Sequence, residues 1–373
     1  MPAEHASEVY CSGCGVRLQS NHSSELGYIP MNATQRQPII CQRCYRIKHY
    51  NDAAFVTPHS NDFLALLHGI SQTDSLVVHI VDLFDFDGTL ISGLPRFVGG
   101  RPVILAMNKV DLLPREVNTN RLLNWVQRRL KEAGLKVEEI FMFSAKSGVG
   151  FEPLIEFMSK WGKGKNIYLV GATNVGKSSI MNRILRDYSD LDREITVSTY
   201  PGTTLDLIKV PLNNRTTLID MPGVVYPFRL TELIHRTELS KLVPHQMLKP
   251  ITFQLNDGQT LFFGALARFD FVQGAKQSFT CYVSASLNIH RTKLEHADEL
   301  YQKQRGSLLQ PPDAQYLDDL PSFVKHRLRI QVGMEQDVFI SGLGWICIQS
   351  KLGATVEVHA PKGVKVILRE RLI

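Results

Sequence analysis

The feature of this sequence that most restricts its fold is a glycine-rich loop within a region of alternating strands and helices. Residues 166–185 read NIYLVGATNVGKSSIMNRIL, and this pattern predicts a strand, a GxxxxGK[ST] loop and a helix. The glycines let backbone N–H groups surround a di- or triphosphate at the positive N-terminus of the helix. The loop therefore predicts nucleotide binding, although it does not select a base.

Two side chains of this loop have specific predicted roles. Lys177 can reach the β- and γ-phosphates, and the hydroxyl of Ser178 can ligate Mg²⁺. The other loop residues predicted to line the nucleotide are Gly171, Thr173, Asn174, Val175, Gly176 and Ser179. The loop thus predicts a combined phosphate and magnesium site.

A second motif, NKVD, ends an earlier strand and predicts that the base is guanine. The Asp111 carboxylate can accept hydrogen bonds from N1–H and the N2 amine of guanine, a pair of donors that adenine lacks. Asn108 can help to hold the base edge and the loop, and the Lys109 stem can pack on the ring. The next strand ends in a segment of three residues, Ser144, Ala145 and Lys146. The N–H of its alanine could meet guanine O6.

Two further motifs predict contacts to Mg²⁺ and to the γ-phosphate. In DMPG, Asp220 would hold Mg²⁺ through water, and the Gly223 N–H would contact the γ-phosphate. In PGTT, at 201–204, one threonine would close on Mg²⁺, with Thr204 favoured over Thr203. Taken alone, PGTT could equally be an ordinary turn.

The residue after DMPG bears on catalysis. Many GTPases have a glutamine there that orients the attacking water, whereas this chain has Val224. In related GTPases with a hydrophobic residue at that position, an asparagine of the phosphate loop helps to bind K⁺. Asn174 is therefore predicted to act in this way, with slow turnover stimulated by K⁺ or a partner; the alternative is a polar loop residue that tolerates an unusual backbone.

The order of these motifs differs from that of an ordinary G domain. NKVD and SAK come first here, followed by the glycine-rich loop, PGTT and DMPG. An ordinary G domain begins with the glycine-rich loop and ends with the two base-recognition motifs. Cutting that order after DMPG and joining the old ends gives the present one. The sequence predicts a circularly permuted G domain, an α/β fold with a mainly parallel sheet and helices on both faces.

Hydrophobic periodicity also predicts helices outside the motifs. Residues 115–134, REVNTNRLLNWVQRRLKEAG, predict an amphipathic helix with Leu122, Trp125 and Leu130 on one face. A second helical pattern covers residues 229–243.

The N-terminal cysteines predict a metal site. They form two CxxC pairs separated by 26 residues, and the four residues are Cys11, Cys14, Cys41 and Cys44. Four thiolates suit a closed, tetrahedral and therefore structural Zn²⁺ site. The alternatives are disulfides and a rubredoxin-like iron site.

These patterns divide the chain into three predicted domains. Residues 1–57 form a zinc-finger module, 58–228 the permuted GTPase domain, and 229–373 a mostly β domain. Cys281 and Cys347 stand in apolar strand patterns and are predicted to be core residues.

Composition adds few restrictions. The formal charge of +6 and pI near 8.9 permit an RNA partner but fit a slightly basic enzyme equally well. The chain start lacks an apolar run, no stretch is long enough to span a membrane, and paired cysteines suit a reducing cytosol. We expect a cytoplasmic protein, monomeric and without a membrane partner.

Beyond these motifs, the chain resembles the YqeH family of circularly permuted bacterial GTPases over nearly its whole length. The resemblance is carried by VDLFDFDG ahead of NKVD, by GATNVGKSS and PGTTLD, and by FQLNDGQTLFFGALARFD, HRTKLE, SGLGW and APKGV. It implies GTP hydrolysis, a treble-clef-like zinc module, a C-terminal domain likened to RNA-binding β modules, and a role in assembling the small ribosomal subunit. A protein-binding signalling GTPase without an RNA partner is the alternative.

Overall fold

The computed structural model describes residues 18–21, 28–30, 60–188, 196–199, 206–213, 215–350 and 352–373. The chain forms two compact units that are interleaved in sequence. The first unit comprises residues 1–81, 91–108 and 134–225, and the second comprises 82–90, 109–133 and 226–373. Two segments from within the predicted GTPase range therefore group with the C-terminal residues, and the predicted domain bounds stay predictions.

The described elements follow the predicted alternation up to residue 220 and are mostly strands thereafter. The helices are α1 (Ser60–Ser71), α2 (Phe86–Thr89), α3 (Leu94–Phe97), α4 (Thr119–Glu132), α5 (Phe151–Trp161), α6 (Lys177–Tyr188), α7 (Leu239–Leu242) and α8 (Ala297–Gln304). The strands are β1 (Ser75–Asp82), β2 (Val103–Asn108), β3 (Ile140–Met142), β4 (Asn166–Gly171), β5 (Thr196–Thr199), β6 (Asp206–Asn213), β7 (Thr216–Asp220), β8 (Ile251–Leu255), β9 (Gln259–Phe263), β10 (Ala267–Gln273), β11 (Gln277–Val283), β12 (Ile289–Lys293), β13 (Phe323–Ile330), β14 (Glu335–Ile340), β15 (Gly344–Gln349), β16 (Ala354–Pro361) and β17 (Val366–Glu370).

A mixed seven-stranded sheet forms the centre of the first unit, in the order β3-β2-β1-β4-β7-β6-β5. The pairs β1–β4, β4–β7 and β2–β3 are parallel, whereas β5–β6 and β6–β7 are antiparallel. Strand β4 thus has one neighbour from before it in the chain and one from after it, as the permuted motif order predicts. Because β4 and β7 run in parallel, the glycine-rich loop and DMPG follow adjacent strand ends.

Two antiparallel five-stranded sheets form the body of the second unit, in the orders β12-β9-β10-β16-β13 and β17-β14-β15-β11-β8. Their inner faces share one apolar core that includes Phe263, Phe269, Phe279, Val338 and Ile346. The region is largely β, as predicted, and Cys281 and Cys347 are buried in it as expected.

Helix α4 has the predicted amphipathic character. Its buried residues are Leu122, Trp125, Val126 and Leu130, so the three predicted residues do lie on one face. The side chain of Asn118 caps the helix by accepting a hydrogen bond from the Arg121 N–H at 3.0 Å.

The prediction of a second helix, over residues 229–243, is wrong. Residues 229–243 form two 3₁₀ turns, Leu230–Glu232 and Arg236–Glu238, followed by the single-turn helix α7. His235 interrupts the pattern because its backbone is extended, with ψ of 145°, and its side chain accepts from the Thr237 N–H. A local cap of this kind satisfies the backbone without a continuous helix.

Candidate nucleotide-binding site

The glycine-rich loop joins strand to helix as predicted. Strand β4 ends at Gly171 and α6 begins at Lys177. Asn174 and Gly176 adopt φ values of 62° and 96°, which turn the chain between the two elements. A Cβ at position 176 would overlap the side-chain nitrogen of Asn108. Glycine is therefore required there on steric as well as conformational grounds.

The Lys177 ammonium is held inside this loop. Its Nζ donates to the carbonyl oxygens of Gly171 at 3.0 Å and Ala172 at 2.8 Å, and the side chain is buried. A Cβ at Gly223 would lie 3.0 Å from the same nitrogen, which places the glycine of DMPG against the lysine. Two motifs that are 46 positions apart, at residues 177 and 223, thus meet at one charge.

Asn108 joins the glycine-rich loop to the SAK segment. Its Nδ2 donates to the Val175 carbonyl at 2.8 Å, and its Oδ1 accepts from the Ala145 N–H at 2.9 Å. The Asn108 side chain is buried, and its hydrogen bond to Val175 holds the glycine-rich loop. Holding the loop is one of its two predicted roles. The Ala145 N–H is predicted to meet guanine O6, whereas in this structure it donates a hydrogen bond to Asn108 Oδ1.

Arg183 is a residue of the site region that sequence reasoning missed. From α6, its Nε donates to the Ala145 carbonyl at 2.8 Å and its Nη2 to the Lys146 carbonyl at 3.2 Å. Ser144 accepts from the Ser147 N–H at 3.0 Å, which closes the same turn. The only signal for Arg183 in the sequence is its place on the helix that the loop begins.

Asp220 ends β7 in a buried position. Its Oδ1 has no hydrogen-bond partner among the described residues. Burial raises the pKa of Asp220 to about 6, although the charge of Lys177 opposes this shift. Mg²⁺ prefers oxygen ligands such as carboxylates. The Asp220 carboxylate therefore fits a role in holding a magnesium ion.

The backbone after DMPG pairs with the glycine-rich loop. The Thr173 N–H donates to the Val224 carbonyl at 2.9 Å, and the Val224 N–H donates to the Gly171 carbonyl at 3.1 Å. Val224 therefore contributes its backbone to the loop, a role that its side-chain type did not suggest.

Three other predicted loop residues are accessible to different degrees. Asn174 is exposed, while Ser178 and Ser179 are half-buried in the first turn of α6. The left-handed backbone of Asn174 is one that asparagine tolerates better than most residues. Its predicted contribution to K⁺ binding stays a prediction.

Lys109 and Asp111 belong to the second unit, and Lys109 follows Asn108 directly along the chain. Lys109 has a φ of 71° and precedes a 3₁₀ turn, Val110–Leu112. Its Nζ forms an ion pair with Asp82 Oδ2 at 2.5 Å. Asp111 is half-buried in the turn. Asp82 is a further residue that motif analysis did not identify.

Several predicted residues lie outside the described residues. These are Thr203, Thr204, Cys11, Cys14, Cys41 and Cys44. Within the described part of the chain, no helix is both long and apolar enough to cross a membrane.

Comparisons with known proteins identify two matching families and several relatives. A family described as "YqeH-like, C-terminal" matches residues 276–372, and one described as "50S ribosome-binding GTPase" matches residues 166–257. The uncharacterised protein YqeH of Bacillus subtilis (strain 168) is 46% identical over 366 residues, which cover 98% of this chain and 100% of the relative.

More distant relatives share less of the sequence. The chloroplastic/mitochondrial NO-associated protein 1 of Arabidopsis thaliana is 29% identical over 426 residues, covering 97% of this chain and 76% of the relative. A guanine nucleotide-binding protein-like 3 homologue of Drosophila melanogaster is 28% identical over 208 residues, covering 48% of this chain and 34% of the relative.

The mixed α/β sheet, the glycine-rich loop and the match to a GTPase family define the chain as a GTPase. Since its similarity to the Bacillus protein extends over almost the entire length of both, the chain belongs to the YqeH family.

Proposed function

We propose that this GTPase acts as a nucleotide-dependent switch in the assembly of the small ribosomal subunit. GTP and Mg²⁺ would order PGTT and DMPG, the GTP-bound protein would bind a ribosomal particle, and hydrolysis would release it. The observation that supports the nucleotide site best is the buried Asp220 carboxylate, at the end of the strand that pairs with β4. One of its oxygens has no hydrogen-bond partner in the described part of the chain.

Each predicted residue has a defined part in this proposal. Lys177 neutralises the β- and γ-phosphates, the Gly223 N–H donates to the γ-phosphate, and bound Mg²⁺ adds positive charge there. The residues proposed to hold that ion are Ser178, Asp220 and Thr204. Asp111 recognises guanine and Lys109 covers the base, while Asn108 keeps the two loops in register through its bonds to Val175 and Ala145.

Phosphate release tests the catalytic assignment. Lys177→Ala should lower kcat/KM for GTP by about 100-fold or more, because the charge on the transferring phosphoryl group loses its partner. Lys163→Ala, which removes an exposed lysine from the turn before β4, is the matched control and should match the wild type. Equal rates in Lys177→Ala and wild-type protein would exclude the assignment.

The ribosomal part of the proposal rests on what the resemblance to the YqeH family implies. The matched GTPase family is described by its binding to the 50S particle, and that match covers only residues 166–257. Sucrose-gradient sedimentation of bacterial extract with GDP, a GTP analogue or no nucleotide distinguishes the partners. Salt-sensitive co-sedimentation with 30S particles is expected with the analogue.

Other sedimentation results would change the assignment. Co-sedimentation with 50S particles would replace the small subunit by the large one. Co-sedimentation with neither particle would favour a protein-binding signalling GTPase. Lys177→Ala should abolish the nucleotide dependence and is the control for non-specific binding to RNA.

We propose potassium as the activating ion because Val224 cannot orient water and Asn174 is exposed in the loop. Turnover should rise in K⁺ relative to Na⁺, and Asn174→Ala should reduce this difference. Equal rates of wild-type protein in the two salts would contradict the role of the ion.

The N-terminal module is proposed to hold one Zn²⁺ through Cys11, Cys14, Cys41 and Cys44. Metal analysis of the purified protein should give one zinc per chain, and Cys41→Ser should lower that ratio. Iron in place of zinc would support the rubredoxin-like alternative. Because paired cysteines of this kind suit a reducing compartment, we propose a cytoplasmic protein.

A further inference from the structure

We infer that Asp82 is a positioning residue for the nucleotide base, acting through Lys109. The inference rests on the proposed function, in which the stem of Lys109 covers the guanine ring. The ion pair between Lys109 Nζ and Asp82 Oδ2, at 2.5 Å, is the observation that points to it.

Hydrogen bonds within its own turn hold Asp82 in place independently of Lys109. Its Oδ1 accepts from the Phe84 N–H at 3.0 Å, and its own N–H donates to Thr89 Oγ1 at 3.0 Å. The side chain is only 5% exposed. One oxygen is thus used to hold the turn, and the other is directed at Lys109.

The lysine is restrained at both ends. Its backbone takes a left-handed conformation, with φ of 71°, and its ammonium is anchored on Asp82. A long side chain that is free in solution loses rotamer freedom when it orders on a ligand. Here the pair orders the four-carbon stem in advance, so the stem can pack on a base at a smaller entropic cost.

The segment that carries Asp82 has firm support within the second unit. Asp85 forms a buried ion pair with Arg229 at 2.8 Å and accepts from the Gly342 N–H at 3.1 Å. The backbone carbonyl of Asp87 accepts from Lys365 Nζ at 2.9 Å. These bonds fix the turn, so Asp82 cannot easily follow a lysine that moves away.

Asp82 and Asp111 should have separable effects. Asp111 distinguishes guanine from hypoxanthine through the N2 amine, whereas the Lys109 stem contacts the ring face that all purines share. Loss of the Asp82 charge should therefore weaken GDP and IDP binding by the same factor. Loss of Asp111 should instead reduce the preference for GDP over IDP.

The test is a titration of the full-length protein with GDP and IDP. Asp82→Asn keeps an acceptor for the Phe84 N–H but removes the charge, and it should raise both Kd values roughly tenfold. Lys109→Met should have a similar effect, and the double variant should be no weaker than either single variant. Asp74→Asn breaks an exposed ion pair with Lys165 and should match the wild type.

The outcomes separate this inference from the proposed function. Wild-type protein that binds no guanine nucleotide would overturn the proposed function itself. Wild-type affinity in Asp82→Asn, a change in the GDP to IDP ratio, or additive losses in the double variant would overturn the role of Asp82. If Asp82→Asn does not fold, Asp82→Ser offers a hydroxyl acceptor for the same turn and is judged by the same criteria.

Discussion

At the scale of single residues, the glycine-rich loop shows how a motif position acquires its identity. Gly176 is needed for its φ of 96° and because Asn108 occupies the space of a Cβ. The first reason follows from the motif. The second depends on Asn108, 68 positions earlier at the end of another strand, and only the fold brings the two together.

Gly176→Ala should raise the Kd for GTP at least tenfold, because the added methyl displaces Asn108 from the Val175 carbonyl and strains the loop. Gly164→Ala is the matched control, since Gly164 has a φ of 77° but no atom of the described residues lies within 4 Å of its added Cβ. Nucleotide titration of both variants separates the steric clash from backbone strain. Equal affinities would contradict the argument.

Sequence patterns predicted the local structure around the glycine-rich loop but not the long-range contacts of its residues. The strand, loop and helix around Lys177 follow from residues within 20 positions, as does the apolar face of α4. The contacts of Arg183 and Asp82 do not, because nothing local to an arginine or an aspartate specifies a distant partner.

At the scale of elements, the nine-residue segment 82–90 contains three buried aspartates, Asp82, Asp85 and Asp87. Asp85 pairs with Arg229, and Asp87 pairs with Arg369 at 2.5 Å and with Arg129. Burial favours the neutral form of Asp87, but the charges of Arg369 and Arg129 together hold its pKa below the ordinary value.

Asp85→Ala should lower the free energy of unfolding by about 3 kcal/mol, because the buried Arg229 would lose its ion pair with Asp85. Asp74→Ala removes an aspartate that is 71% exposed and should cost less than about 1 kcal/mol. Urea denaturation of both variants provides the comparison. A loss at Asp85 no larger than that at Asp74 would show that the pair adds nothing.

At the scale of the whole molecule, the chain passes between its two units at 81/82, 90/91, 108/109, 133/134 and 225/226. The predicted division into consecutive domains missed these crossings. Hydrophobic periodicity identifies helices and strands, but it does not show which compact unit each of them belongs to. Trp125 illustrates the point, since its indole N–H donates to the Glu370 carbonyl at 3.0 Å, 245 positions away.

A fragment ending at residue 228 should therefore fold poorly. It would keep 82–90 and 109–133 without the strands that cover them, exposing Trp125 and Phe86. We expect stronger binding of a hydrophobic dye than in the full chain, and early proteolysis within those two segments. A fragment as protease-resistant as the full chain would contradict this expectation.

The stability of the molecule should also depend on pH through Asp337. Burial raises its pKa from the ordinary 3.8 to about 6, against the opposing charge of Arg369 and the Leu372 N–H. Between those two pH values the folded state binds more protons than the unfolded state, so this residue makes stability fall as pH rises. The full effect is on the order of 3 kcal/mol.

Asp337→Asn should therefore be more stable than the wild type at pH 7 and should flatten the profile between pH 4 and pH 6. Its amide oxygen can still accept from the Leu372 N–H, which donates to Asp337 Oδ2 in the wild type. Urea denaturation across this pH range is the measurement, with the exposed Asp257→Asn as control. Parallel profiles for wild type and Asp337→Asn would contradict the assignment.

The interleaving of the two units limits how such a gene can change. A crossover that exchanges the sequence after residue 225 would replace Arg229 and Arg369 while leaving Asp85 and Asp87 behind. The hybrid would contain buried charges inherited from different parents. The second unit consists of residues 82–90, 109–133 and 226–373. We therefore expect recombination to be tolerated only when these three segments come from the same parent.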